Sequence, residues 1–282
     1  MIASPARQAL GVALAEDADR PRLWPGVGRR SSGPFILVIA DDSAQLFRLS
    51  HGRAPGWGAG LAFPAARTIM LRADLPDLHQ TLRHELAHLI LREAVRARVP
   101  LWFDEGYASW ASGELGRMEA LELNLAVATG KLPRFETLDA MLRGSASSAD
   151  LAYTLAASAV AELARRPPDG AIERVIDHLA AGQPFDAAVE TSTGLNIDRF
   201  EESWQHALRQ RYSLLTWFAA GGLWGVMALL VLGLAWLRQG REAARRVALN
   251  SGWVVAADVQ QPLDENLSPT VDETVDPEGP AQ

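Results

Sequence analysis

Residues 81–110 read TLRHELAHLILREAVRARVPLWFDEGYASW, and this stretch decides how the rest of the chain is to be understood. His84 and His88 stand four apart, one helical turn, inside an apolar pattern of helical period in which Leu78, Leu82, Leu86, Leu89, Ile90 and Val95 recur until Pro100 ends the run. Two imidazoles on one helical face can meet a single ion, which is the physical content of an H-E-x-x-H pattern. Glu85 then lies beside that ion, where its carboxylate can take a proton from an attacking water whose pKa a neighbouring zinc lowers to about 7, and pass it to a leaving amine. That division of labour describes peptide hydrolysis. Zinc used this way needs a third protein ligand and one open position. Glu105, on the next helix after a turn long enough to fold back, is the best candidate, with Asp104 and Glu114 as weaker rivals.

The chain around this stretch has 282 residues and is 48% hydrophobic, as expected of a folded protein. Its net charge of −7 is an uneven average. Asp258, Asp264, Glu265, Asp272, Glu273, Asp276 and Glu278 crowd the last stretch without a Lys or Arg, and the remainder is close to neutral. No basic footprint for nucleic acid is present. With no cysteine in the chain, thiolate ligands, disulfides and cysteine nucleophiles are excluded, so a metal must be held by His and carboxylates.

Upstream of the motif, residues 1–33 are rich in Ala, Arg, Pro and Gly and are expected to be a loosely ordered lead-in. Residues 35–40, FILVIA, suit a buried strand, and residues 61–63 and 68–71 flank Pro64-Ala65-Ala66-Arg67 as a hairpin. Arg67 and Arg72 border that hairpin, where exposed arginines on an edge strand serve more readily to block aggregation than to meet substrate carboxylates. Downstream, helices are expected at about residues 117–128, 149–165, 171–181 and 197–212. Strands followed by helices predict an α+β domain over residues 34–212, a small sheet with an edge hairpin leading into a helical core, with the metal site at the junction. His51, His79, His178 and His206 lack paired spacing and are expected at the surface or in caps.

Residues 214–237, LLTWFAAGGLWGVMALLVLGLAWL, are uncharged and long enough to cross a hydrocarbon core of roughly 30 Å, so residues 213–237 are expected to form a transmembrane helix. Residues 238–282 follow as a basic segment with Arg238, Arg241, Arg245 and Arg246 and an acidic tail too polar to fold alone. The arginine bias, weighed against Arg199, Arg209 and Arg211 on the other side, places the tail in the cytoplasm and the preceding domain outside it. Such an orientation calls for an export signal, and residues 1–33 contain no apolar run of that kind. A start assigned too far downstream would reconcile the two.

The HELAH run followed by LWFDEGYASW resembles the gluzincin metallopeptidases, in particular their peptidase MA-like domains, and the likeness is specific over residues 61–110. The resemblance implies that His84, His88 and Glu105 hold zinc, that Glu85 is the general base, and that substrate backbone pairs along the hairpin of residues 61–71. It further implies that Tyr153, in Ala152-Tyr153-Thr154 at the opening of a helix, donates a hydrogen bond to the tetrahedral oxyanion. Two departures stand out: the spacing from His88 to Glu105 is a little shorter than in aminopeptidase relatives, and Ser109 stands where some relatives carry an acid that orients a ligand histidine. Residues 52–73 contain no Asp or Glu, so the acidic anchor with which aminopeptidases hold a free amine is missing. The expectation is a single-pass membrane zinc endopeptidase acting on peptides or proteins. The rival reading is a catalytically vestigial peptidase-like module that binds a protein partner at the membrane.

Overall fold

The computed structural model describes residues 1–114, 117–130, 132–212 and 223–250. Its first compact unit, Met1–Leu223, is mixed α and β and mostly helical. Strand β3 (Ile36–Ala40) is the expected apolar run, with Leu37, Val38, Ile39 and Ala40 all buried. Strands β4 (Gly60–Phe63) and β5 (Thr68–Arg72) form the expected hairpin. Together they make a three-stranded sheet in the order β3-β5-β4, with β5 parallel to β3 and antiparallel to β4. The chain turns between β4 and β5 through Arg67 at φ 45°, a left-handed conformation that costs a non-glycine residue. The side chain offsets that cost, donating to Pro34 O at 2.7 Å and Ser32 O at 2.6 Å and pairing with Glu93.

Residues 1–33 depart from expectation, because they are ordered. Ile2 lies parallel beside β3, its N–H donating to Leu37 O at 2.7 Å while Ile39 N–H donates to Ile2 O at 2.9 Å. Helix α1 (Gln8–Asp19) buries Leu14 and Ala18, and β1 (Arg22–Trp24) pairs with β2 (Gly28–Arg30) in a hairpin that buries Trp24. The apolar face of α1 is narrow and made largely of small residues, Gly11, Ala15 and Ala18 beside Leu10 and Leu14, so its periodicity is faint in the sequence, and it is the tertiary contact that fixes it. A short helix α2 (Ser43–Leu49), capped by Asp42 accepting from Gln45 N at 2.7 Å, was likewise absent from the sequence reading.

The helical half begins with α3 (Leu78–Ala94), whose Leu82, Leu86, Leu89 and Ile90 are buried, and which stops at Val95 before Pro100 can be reached. Helix α4 (Leu101–Ser112) starts directly after Pro100 and ends at Gly113 in the left-handed region. Helices α5 (Arg117–Ala128), α6 (Phe135–Leu142), α7 (Ala146–Ala164), α8 (Ala171–Ala180), α9 (Phe185–Thr193) and α10 (Ile197–Arg211) follow. Four of these match the expected spans, whereas α6 and α9 are short and gain their stability from packing. Trp102 on α4 stacks on Phe135 of α6 at 4.1 Å between centroids and meets Phe185 of α9 edge-on, while Trp204 of α10 closes over Phe135. The Glu201 carboxylate of α10 accepts from Phe135 N at 2.7 Å and satisfies the start of α6.

Helix α4 packs against both α3 and α7. Its approach to α7 is close enough that a Cβ on Gly106 would lie 2.5 Å from Ala156 O and 2.6 Å from Ala156 C. Only glycine fits there, since the obstacle is backbone.

The second unit is Trp224–Gln282. Residues 214–222, the first part of the expected span, and the tail from 251 lie outside the described residues. The remainder of the span opens helix α11 (Leu223–Asn250), which continues through the basic segment and exposes Trp224, Leu229, Leu232, Leu234 and Trp236. Among the described residues no helix is long and apolar enough to cross a membrane.

Two stability measurements follow from this packing. Gly106→Ala is expected to cost about 1–3 kcal/mol, the range of overpacked cores, read as a lowered melting temperature at about 2–4 °C per kcal/mol for a domain of this size. The Asp17 carboxylate receives Arg22 at 2.6 Å and His79 at 3.2 Å. Burial alone would raise its pKa, but these two partners hold it below the usual value. A depressed folded pKa contributes stability above the unfolded pKa of about 3.9 and loses it as pH falls through the folded value. Asp17→Asn is therefore expected to cost about 0.5–1 kcal/mol in urea unfolding at neutral pH and almost nothing near pH 2.

Candidate metal centre

Helical period places His84 and His88 on the same face of α3, with ring centroids 5.0 Å apart. Leu82, Leu86, Leu89 and Ile90 hold the remaining faces of that turn in the core. Helix α4 crosses this face and presents Glu105. The three facing atoms form a nearly equilateral triangle: His84 Nε2 to His88 Nε2 is 3.3 Å, His84 Nε2 to Glu105 Oε2 is 3.5 Å, and His88 Nε2 to Glu105 Oε2 is 3.4 Å. A tetrahedral ion bonded at about 2.0–2.2 Å requires ligand atoms about 3.3–3.6 Å apart, so the donor set fits one ion with a fourth position free. The sixteen residues between His88 and Glu105 are enough to close this triangle.

The rivals Asp104 and Glu114 stand behind the histidines. His88 Nδ1 donates to Asp104 Oδ1 at 3.0 Å, and Asp104 Oδ2 also receives Arg92 Nη2 at 2.6 Å. His84 Nδ1 lies 3.1 Å from both carboxylate oxygens of Glu114. With each Nδ1–H directed at a carboxylate, each Nε2 lone pair is left for the ion. Ser109, at the position where the resemblance implies an orienting acid, supplies no such partner to His84. Glu114 does so from just beyond α4, turned back by Gly113, its N–H donating to Ser109 O at 3.0 Å.

Charge and burial are balanced across this cluster. Burial alone would lower the His84 pKa, but hydrogen bonds to Glu105 and Glu114 outweigh it and raise the value to about 10. His88 is shifted upward in the same way, against its own desolvation, by Glu105 and Asp104. Glu105 is desolvated too, yet the two imidazoles hold it well below the carboxylate range. Glu85 goes the other way: its burial raises its pKa in spite of the histidines. It is therefore the basic carboxylate of the group.

Glu85 faces strand β4. A Cβ on Gly60 would lie 2.7 Å from Glu85 Oε1 and 3.0 Å from Leu71 Cδ2, so a larger residue there would shift the carboxylate that the strand covers. Tyr153 sits two turns inside α7, not at its opening, because α7 begins at Ala146. Its ring meets that of His84 at 6.1 Å, and burial together with Glu105, Glu85 and Glu114 holds its hydroxyl protonated. His84, Glu85, His88, Glu105 and Tyr153 all line one cleft of about 1020 Å³, walled on one side by residues 57–62.

Arg67 and Arg72 do not flank an edge, since β5 is the central strand. Arg67 supports the turn described above. Arg72 is nearly buried and bound to Asp74 by two contacts of 3.0 Å. His79 pairs with Asp17 and takes no part in the cluster. The sequence reading missed Gly60 and the supporting roles of Arg92 and Glu114. The glycine-rich run before β4 and the Gly113-Glu114 pair after α4 are the signals that carried them.

Metal titration tests this centre. The full chain is expected to bind close to one equivalent of zinc by calorimetry, Glu105→Gln to lose most of that affinity, and Glu114→Gln or Asp104→Asn to weaken it about 10–100-fold.

No curated protein matches the chain. A family model described as the peptidase MA superfamily matches residues 21–210. That match runs from hairpin β1–β2 to the end of α10 and contains every residue of the centre, and the chain belongs to the peptidase MA superfamily.

Proposed function

We propose that the chain is a zinc-dependent metallopeptidase that cuts within peptide chains and is held at a membrane by residues 214–237. The observation that carries this reading is the triangle of His84, His88 and Glu105 atoms beside a buried Glu85, open to a cleft large enough for a peptide. A zinc ion there would supply Lewis-acid polarisation of the scissile carbonyl and acidify an attacking water. The chain's own residues supply the rest. Glu85, with its raised basicity, accepts the proton of the water and delivers it to the leaving amine. Tyr153 keeps its proton and can donate a hydrogen bond to the charge that develops on the peptide oxygen.

Internal cleavage is supported by the wall at residues 57–62, which brings no carboxylate to hold a free amine. Membrane attachment is supported by the uncharged run of residues 214–237 and by the exposed apolar side chains of α11. The arginines that follow favour a cytoplasmic tail and an extracytoplasmic peptidase domain.

Incubating the full chain with an unfolded protein mixture tests the activity. Cleavage products should disappear with a chelator and return with zinc, while Glu85→Gln should cut about 10²–10⁴-fold more slowly yet bind zinc with the parent's stoichiometry. A zinc-loaded parent that releases no fragments, or a Glu85→Gln chain that cuts at the parent's rate, overturns the reading in favour of a partner-binding module.

A further inference from the structure

The wall opposite the metal ligands carries Pro55-Gly56-Trp57-Gly58, and this loop has no part in the chemistry above. Its Trp57 is 36% exposed and lines the cleft, together with Pro55, Leu61 and Pro64. A surface tryptophan on a glycine-rich loop would ordinarily be mobile, but here the backbone on both sides of it is held. Arg72 Nη1 donates to Gly56 O at 3.3 Å and to Gly58 O at 3.2 Å, and Gly58 N–H donates to Pro55 O at 2.9 Å. Arg72 is itself fixed through Nε and Nη2 by Asp74. The guanidinium thus spends its charge on Asp74 and its remaining donor on carbonyls flanking the indole. What the loop offers to the cleft is an apolar, aromatic surface without a free charge.

We infer that Trp57, held in place by Arg72, forms a subsite for a bulky apolar side chain of the bound peptide. This rests on the peptidase reading. Gly60 lies against Glu85, and Trp57 is three residues before it, so the backbones of Trp57 and Gly60 are at most about 11 Å apart. Extended peptide advances about 3.3 Å per residue, which puts the recognised side chain within about three residues of the scissile bond. An aromatic or large aliphatic group gains by covering the indole, whereas a charged one finds no partner on this wall and loses water.

The test is a binding measurement that does not depend on turnover. Zinc-loaded full chain carrying Glu85→Gln is titrated into fluorescein-labelled peptides of alanine, serine and glycine that contain one Phe, Leu, Asp or Lys, and anisotropy is recorded. Phe and Leu peptides should bind about tenfold more tightly than Asp or Lys peptides. Adding Trp57→Ala should abolish that preference, and Trp57→Phe should restore most of it, with circular dichroism unchanged in all three chains. Equal affinity for the four peptides, or a preference that survives Trp57→Ala, overturns the subsite. In the chain with Glu85 intact, cleavage without the preference leaves the peptidase reading standing alone. Preference without cleavage leaves the subsite standing and removes the activity.

Discussion

The closeness of two helices at one glycine governs the centre. Because Gly106 has no side chain, α4 can lie with its backbone against Ala156 of α7, while the adjacent Glu105 meets the histidines of α3. The aromatic cluster around Trp102 packs the start of α4 against α6 and α9. The triangle of ligand atoms is in this sense a packing result. Nothing in the charges alone would bring a carboxylate oxygen to equal distances from two imidazoles; the charges make that arrangement tolerable once packing has imposed it.

How tolerable depends on neighbours whose work differs in kind. Asp104 is buried and Glu105 and Glu114 are partly buried, and each is held ionised by an imidazole or a guanidinium within hydrogen-bond reach. An isolated buried charge would cost several kcal/mol, so the group is stable only as a group. A divalent ion entering the triangle must displace the protons that the two histidines otherwise hold, which ties its affinity to pH and to folding together. Glu85 is kept out of this exchange. Its burial beneath Gly60 leaves it more basic than the others.

The sequence announced the centre more fully than the fold around it. His84, Glu85, His88 and Glu105 are legible because a helix imposes a fixed step, so spacing alone puts the first three side by side, and the acid on the next helix needs only a turn to return. Helices α3 and α4 are bounded by Pro100 and Gly113, residues whose backbone chemistry acts locally. What was illegible depended on contacts distant in sequence. Helix α1 looked like loose chain because its narrow face of small residues acquires meaning only against the core. The roles of Asp104 and Glu114 were open for the same reason: a carboxylate near a metal helix can bind the ion or bind a ligand, and only the Nδ1 contacts decide which.

Strand β4 joins these themes. It is the outer strand of the sheet, it covers Glu85, and it leads out of the loop that carries Trp57. Those demands conflict at an ordinary residue, because a Cβ at position 60 would come within 2.7 Å of Glu85 Oε1 and displace the carboxylate that the strand covers. Glycine resolves the conflict at the cost of a floppier strand. The stiffness lost there is regained from Arg72 on the adjacent strand, which reaches across to bind the carbonyls of Gly56 and Gly58 while Asp74 neutralises it. An arginine that in sequence looked like an edge guard is thus a brace, and it lets a glycine-rich wall keep a fixed shape beside the site of chemistry.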